Sequence, residues 1–188
     1  MTESMLAPGL LVAAPPLDDP NFARSLVLLI AHSEEGALGI VINHAVAVGT
    51  VGDLLEQLKL GDRESHREPI HVGGPVHQEM GWIVYRPAGA DALDGESRLS
   101  EEVAVSPSRD VLAAIGRDDG PQRFDLYVGC AGWGPGQLEE EVRQGAWLPV
   151  ALDAGIVFDV PTEERWQAAF TRAGVDPAGF MGHTRGQA

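Results

Sequence analysis

The sequence predicts an α+β fold built on a mostly antiparallel or mixed β-sheet. Apolar, β-branched runs follow one another along the chain, and most of them are not separated by a helical pattern. The runs at 25–32 and 37–43 flank Ser-Glu-Glu-Gly, which indicates a β-hairpin with a four-residue loop. Helical patterns are few and short. A doubly wound parallel sheet is the weaker alternative.

The other elements follow from capping residues and from short apolar runs. Further strands are predicted at 70–72, 81–86, 103–105, 123–130, 147–150 and 155–160. Three helices are predicted: from the Thr50 cap to Gly61, from the Ser106 cap with Pro107 to Gly116, and from the Thr162 cap to Gly174. The polar stretch 87–100 is predicted to be an exposed, mobile loop.

Size and composition predict one soluble globular domain, residues 1–188, in the cytoplasm. The chain has 188 residues, of which 44% are hydrophobic and 22% are charged. The lone cysteine, Cys130, cannot form an internal disulfide, so nothing indicates an oxidising compartment. The apolar start is not preceded by a basic residue, and no apolar run approaches the roughly 18 residues of a membrane span.

The charge of the chain disfavours direct binding to nucleic acid. Acidic residues outnumber basic ones 28 to 13, which gives a formal charge of −15. Proteins that bind duplex DNA gain most of their affinity from clustered Lys and Arg on phosphates. No run of basic residues here exceeds two. An acidic, solubilising surface is the simpler interpretation.

The stretch GCAGWGPGQLEEEVRQGAWLP joins an apolar run to a helix-like segment through a glycine-rich corner. A dinucleotide-binding fingerprint needs a glycine where Gln137 stands, and a P-loop needs a Gly-Lys pair that is missing. Three glutamates, 139–141, also begin the following helix and would repel a phosphate. We therefore predict a structural corner whose glycines supply positive φ or close backbone approach.

No catalytic residue, metal site or cofactor is predicted. Cys130 lies next to an acidic helix start, so a buried, unreactive thiol is favoured over a nucleophile. His71 and His77 flank a glycine turn, but the ligand pattern of a metal site is missing. The enzymatic alternative is a hydrolase that uses His32 with Glu34 or Glu35.

The favoured hypothesis is a non-enzymatic regulator that binds a protein partner or a small ligand. The expected surface lies near the turns at 73–76 and 132–137, where backbone N–H groups and an aromatic side chain are available. Arg24 and Asn43 are also candidates, because a polar side chain that points inward needs a hydrogen-bond partner. The candidate residues are Gly73, Gly74, Trp133, Gly134, Gln137, Arg24 and Asn43.

Four runs together resemble the YqgE/AlgH family of small bacterial proteins. They are DPNFARSLVLLIAHSEEGALGIVIN, GGPV followed by GWIVYR, SPSRDVL, and GCAGWGPGQLEEEVRQGAWL. These runs and the positions around them extend the resemblance over nearly the whole chain. The sequence departs from the family at Cys130, where the family motif usually has the aromatic residue of Gly-Tyr-Ala-Gly-Trp.

The resemblance implies a bifurcated, mostly antiparallel sheet that forms a pseudo-barrel, with short helices packed outside it. It also implies a cytoplasmic protein of a family often described as transcriptional regulators. It supplies no established activity, ligand or catalytic residue. A thiol nucleophile at Cys130 would be peculiar to this chain, which further disfavours that role.

Overall fold

The computed structural model describes residues 6–180 and contains ten strands, mostly in antiparallel pairs, and several short helices. The strands are β1 (Gly9–Ala13), β2 (Leu26–Ser33), β3 (Gly36–Val41), β4 (Ala47–Thr50), β5 (Pro69–Val72), β6 (Val76–Tyr85), β7 (Ser97–Arg98), β8 (Ala104–Ser106), β9 (Phe124–Trp133) and β10 (Trp147–Val150). The helices are α1 (Val51–Leu58), α2 (Arg109–Gly116), α3 (Gln137–Arg143), α4 (Ala154–Phe158), α5 (Arg165–Ala173) and α6 (Pro177–Phe180), and a 3₁₀ turn covers Thr162–Glu164.

The chain forms two compact units, and the first contains residues 6–44 and 131–180. Its sheet is antiparallel, in the order β10-β1-β2-β3 followed by the last three residues of β9. Buried side chains from these strands and from α3 form one hydrophobic cluster. The main members are Leu11, Val27, Leu29, Trp133, Leu138 and Trp147.

The second unit contains residues 45–130. Here β9 pairs with β6 in antiparallel and with β5 in parallel orientation, β8 lies between β6 and β7, and β4 pairs with β5. The core collects side chains from these strands and from α1 and α2. The α+β class with a mostly antiparallel, mixed sheet is therefore confirmed. The pairings of the described strands do not close into a ring in either unit, so the pseudo-barrel stays a prediction.

The predicted β-hairpin forms with a tighter loop than expected. The ladder continues to a pair between Ser33 and Gly36, so only two residues remain in the loop. Gly36 has φ +132°, and a Cβ there would collide with the carbonyl oxygen of Trp133. Only glycine tolerates both conditions, which explains how the ladder can reach this residue.

The segment predicted as a strand at 155–160 is wrong, because residues 154–158 form α4. The side chain of Asp153 accepts hydrogen bonds from the backbone N–H groups of Gly155 and Ile156, at 2.9 and 3.2 Å. This cap starts a helix, and the apolar run that follows is buried. A short, buried helical run and a buried strand look alike in sequence.

The predicted helices exist, but several of their ends differ from the prediction. Thr50 caps α1 as expected, although the left-handed residue that ends it is Lys59, with φ 58°, and not Gly61. The cap of α2 is Ser108, because Ser106 belongs to β8. Residues 162–164 form a 3₁₀ turn without a side-chain cap, and Gly174 ends α5 as predicted.

Candidate functional site

The glycine-rich corner of the first unit is shorter than the sequence suggests. Strand β9 continues through Trp133, and the chain turns at residues 134–136 before α3 begins. The side chain of Gln137 spans this corner: its Oε1 accepts from the Gly134 N–H at 3.0 Å, and its Nε2 donates to Glu141 at 2.8 Å. Gly136 has φ +71°, as predicted for a glycine of the corner. The surface of residues 134–137 is exposed.

Trp133 is part of the core of the first unit. It is 6% exposed, and its ring packs edge-on against Trp147 at 5.8 Å between centroids. One carboxylate oxygen of Glu141 accepts from both indole N–H groups, at 2.9 Å from Trp133 and 2.8 Å from Trp147. The indole N–H of Trp133 is therefore already bonded within the fold.

Gly132 is an exposed strand glycine that the fold does not require. It lacks a positive φ, and a Cβ placed on it would meet no atom within 4 Å. Leu38 of β3 lies opposite Gly132 of β9, and Ala31 of β2 lies opposite Leu38. Directly opposite residues of paired strands share one face of a sheet. We call Ala31, Leu38 and Gly132 the bare patch, since its side chains are small or half-buried and carry no charge.

The side chain of Asn43 bonds to the backbone at Arg24 and Leu26, where β2 begins. The Oδ1 atom of Asn43 accepts from the Leu26 N–H at 2.7 Å, and its Nδ2 donates to the Arg24 carbonyl at 2.9 Å. Arg24 has φ +56°, and its guanidinium lies 4.7 Å from the centroid of the Trp166 ring. Both polar side chains thus have contacts inside the first unit.

Gly73 and Gly74 belong to the second unit and are buried. The Gly73 N–H donates to the Val128 carbonyl at 2.7 Å. A Cβ on Gly129, which has φ +76°, would collide with the carbonyl oxygen of Gly74. This close approach explains the glycine at position 129, and Gly74 itself has φ +150°, a conformation that favours glycine.

Cys130 is buried, as the sequence predicts. Burial raises the pKa of its thiol, and the negative charge of Glu79 raises it further. The thiol is consequently protonated near neutral pH and is a poor nucleophile.

His32 pairs with a carboxylate that its sequence neighbours did not indicate. Its Nδ1 accepts from the Leu6 N–H at 3.0 Å, so its Nε2 carries the proton and donates to Glu139 at 2.8 Å. The hydrogen bond from the backbone N–H of Glu139 lowers the pKa of this carboxyl, and the bond from His32 adds to the effect. Glu34 and Glu35 lie exposed in the hairpin loop. The two partners are 107 positions apart, and no spacing rule connects them.

Two further properties bear on function. Within residues 6–180, no three His, Cys, Asp or Glu side chains are grouped so that they could hold a metal ion. None of the helices in the described part of the chain is long and apolar enough to cross a membrane.

A polar cavity that was not predicted lies in the second unit, between residues of the stretch predicted to be a loop and residues 119–121. Its volume is about 250 Å³. Tyr85, Glu96 and Arg98 supply its polar lining together with two aspartates, 91 and 119. The side chain of Glu96 is 2% exposed and bonds to both Tyr85 and Arg98. Glu96 looked like one more surface acid in the sequence, so no signal distinguished it.

The chain matches known proteins over most of its length. A family model described as AlgH-like matches residues 10–178. A UPF0301 protein of Anaeromyxobacter dehalogenans is 47% identical over 94% of this chain and 92% of its own. A UPF0301 protein of Nitrosococcus oceani is 40% identical over 92% of this chain and 94% of its own.

Two solved structures share the fold. The solution structure of AlgH from Pseudomonas aeruginosa, at 35% identity, gives a TM-score of 0.74 and covers 100% of this chain and 98% of that one. The crystal structure of the protein DIP2367 from Corynebacterium diphtheriae, at 25% identity, also gives 0.74 and covers 96% and 94%. The resemblance inferred from the four sequence runs is confirmed, and the chain belongs to the AlgH-like family.

Proposed function

We propose that this protein is a cytoplasmic regulator that binds a protein partner or a small ligand and does not act by catalysis. The surface we assign to binding is the bare patch together with the adjoining corner at Gly134 and Gln137. The observation that carries the proposal is Gly132. Glycine weakens a strand interior, and a strand glycine often marks a place where another backbone or a ligand approaches closely.

The surroundings of Gly132 support a docking role. The backbone at position 132 does not require glycine, because its φ is not positive and no atom lies within 4 Å of an added Cβ. The exposed corner of residues 134–137 continues the surface, and the bonds of Gln137 to Gly134 and Glu141 hold its shape. An exposed and uncharged surface with open space above a strand glycine allows a partner or a ligand to approach closely.

The hydrolase alternative has weaker support. Both ring nitrogens of His32 are occupied, one by the Leu6 N–H and the other by Glu139. A general base needs a free lone pair within reach of its substrate. His32 would have to break its bond to Leu6 before it could act.

The charge of the chain supports a partner other than nucleic acid. A formal charge of −15 opposes contact with phosphates, so an influence on transcription would act through a protein partner. No basic surface is needed for the binding that we propose.

The test compares two variants that add the same side chain at two strand glycines. Gly132→Gln covers the bare patch, whereas Gly81→Gln adds the side chain to β6, where a Cβ also meets no atom within 4 Å. Each tagged protein is purified gently from its own host and examined by native mass spectrometry. We expect a stoichiometric partner or ligand on the wild type and on Gly81→Gln, and at least a tenfold loss on Gly132→Gln.

The proposal depends on that difference between the two variants. If both variants retain the bound species equally, the bare patch is not the binding surface. Thermal unfolding of both variants must accompany the measurement, so that a loss of binding is not confused with a loss of fold.

A further inference from the structure

His32 is a buried histidine of the first unit whose ring is bonded on both sides. Its side chain is 5% exposed and belongs to β2. Its Nδ1 accepts from the Leu6 N–H at 3.0 Å, and its Nε2 donates to Oε1 of Glu139 at 2.8 Å. The ring therefore joins the segment that precedes β1 to the first turn of α3.

The bond from Leu6 requires a neutral ring. A neutral imidazole has one N–H group and one nitrogen lone pair, whereas a protonated imidazole has two N–H groups and no lone pair. Protonation of His32 would place an N–H group on Nδ1, where it would face the N–H group of Leu6. Two donors cannot bond to each other, so a protonated His32 and the bond from Leu6 exclude each other.

The carboxylate of Glu139 can hold the ring in both of its protonation states. The bond from the backbone N–H of Glu139 lowers the pKa of this carboxyl, and the bond from His32 lowers it further. The carboxyl is therefore ionised near neutral pH. A protonated ring would keep its bond to Glu139 and strengthen it, because both partners would then be charged.

The other elements around His32 contribute few charges. Ala37 lies opposite His32 on β3 and is uncharged. Glu34 and Glu35 lie in the hairpin loop after β2 and are exposed, so solvent and salt screen them. Arg143 lies further along α3, and its charge also lowers the pKa of the Glu139 carboxyl. The buried pair of ring and carboxylate therefore dominates the electrostatics at this place.

The segment at Leu6 is the part that protonation would displace. His32 lies in a strand that pairs with β3, and its ring would be held more tightly by Glu139. Leu6 precedes the first strand, and its N–H would lose its acceptor. Leu6 and Ala7 are half-buried and pack against the hydrophobic cluster that contains Trp133. Release of Leu6 would uncover the part of the cluster beneath it.

We propose that His32 is a pH-sensitive latch for the segment that precedes β1. At pH 8 the neutral ring holds Leu6 on the first unit. As the pH falls from about 8 to 5, the range in which histidine changes its charge, Nδ1 takes up a proton from solvent and releases the Leu6 N–H. The bond between Nε2 and Glu139 persists throughout. The latch does not depend on the binding surface proposed above.

The experiment follows the full-length, ¹⁵N-labelled protein by NMR from about pH 8 to 5. We expect the Leu6 amide and the ring nitrogens of His32 to shift with one common midpoint. The protection factor of the Leu6 amide, which corrects for the intrinsic effect of pH on exchange, should fall at least about fivefold, as for the loss of one hydrogen bond. The amides of Val27 and Leu29 in β2 should stay protected, which distinguishes release from acid unfolding.

Two variants and a control test the chemistry of the latch. His32→Asn can place an amide oxygen near the position of Nδ1 and does not titrate, so the protection of Leu6 should no longer depend on pH. Glu139→Gln keeps an acceptor for Nε2 but removes the charge that favours the proton, so the midpoint should fall by about one pH unit. Glu56→Gln removes one charge from an exposed side chain of α1 and should leave the midpoint unchanged.

The proposal is overturned if the Leu6 amide keeps its shift and its protection down to about pH 5 while β2 stays protected. It is equally overturned if His32→Asn retains the transition, or if Glu56→Gln moves the midpoint as far as Glu139→Gln does. If His32→Asn does not fold, the comparison of Glu139→Gln with Glu56→Gln decides.

Discussion

At the scale of single residues, Glu141 supports the core of the first unit in a way that its sequence position conceals. It is the last of three consecutive glutamates in α3, yet one of its oxygens accepts from the indole N–H groups of both Trp133 and Trp147. Phe22 packs against both rings, at 6.3 and 5.7 Å between centroids. Without this carboxylate, two buried donors would lose their acceptor.

We predict that Glu141→Ala lowers the free energy of unfolding by about 2–6 kcal/mol, because it leaves two buried donors unsatisfied and each costs about 1–3 kcal/mol. Urea unfolding followed by tryptophan fluorescence measures the change. Glu140→Ala is the matched control, since Glu140 is exposed and its side chain bonds to Arg143 and Gln144 next to it in the chain. That variant should change the free energy by less than about 1 kcal/mol. Equal losses in the two variants would contradict the role of Glu141.

At the scale of elements, α1 is the helix whose start the sequence predicts correctly. The Thr50 cap can be predicted from the sequence alone, because the N–H group that its hydroxyl accepts from belongs to Asp53, three residues later, at 3.1 Å. The β-hairpin is equally local, and only its last ladder pair was missed. The error at α4 has a physical cause. Helix α4 has five residues, and the short apolar run gives no periodicity that separates helix from strand.

The candidate site was less predictable than the fold, because its contacts join residues far apart in the chain. His32 meets Glu139, and Glu96 reaches Tyr85, through pairings that only the folded strands bring about. Positive φ or close backbone approach was predicted for the glycines of the corner at 132–136. Gly136 has a positive φ, whereas Gly132 and Gly134 do not.

Asp153 offers a test at this scale, since it caps α4 and also pairs with Arg172 at 2.9 Å. We predict that Asp153→Ala lowers the free energy of unfolding by about 1–2 kcal/mol, as expected for a lost cap. Asp153→Asn keeps an acceptor for the cap and should lose less than half as much. Urea unfolding of the three proteins gives both values. A larger loss for the Asn variant would show that the ion pair, and not the cap, stabilises this element.

The same carboxyl predicts a pH dependence. Burial opposes its ionisation, but the bonds from Arg172 and from the backbone N–H groups of Ile156 and Gly155 outweigh burial and lower its pKa. A group whose pKa is lower in the folded state stabilises it above the unfolded value of about 3.9. That stabilisation is lost as the pH falls through the folded value. The difference between the wild type and Asp153→Asn should therefore be constant near pH 6 and shrink below about pH 4.

At the scale of the whole molecule, the excess of acids dominates the electrostatics. With 28 acidic and 13 basic residues, every base can be paired and many carboxylates still repel one another. Salt screens the attractive pairs as well as the repulsion. Pairs such as Arg63 with Asp53 are exposed, however, and such pairs contribute only about 0–1 kcal/mol each. The repulsion should therefore outweigh the attraction.

We predict that the melting temperature rises by a few degrees when potassium chloride is increased from about 0.01 to 0.15 M, which shortens the Debye length from about 30 to 8 Å. A relief of about 1 kcal/mol corresponds to roughly 2–4 °C in a chain of this size. The control reverses two exposed glutamates, Glu56→Lys and Glu101→Lys, and so reduces the net negative charge without touching the cores. Its rise with salt should be smaller than that of the wild type. A melting temperature that falls with salt in the wild type would mean that attraction between the exposed pairs, and not repulsion between the excess acids, controls the stability of this protein.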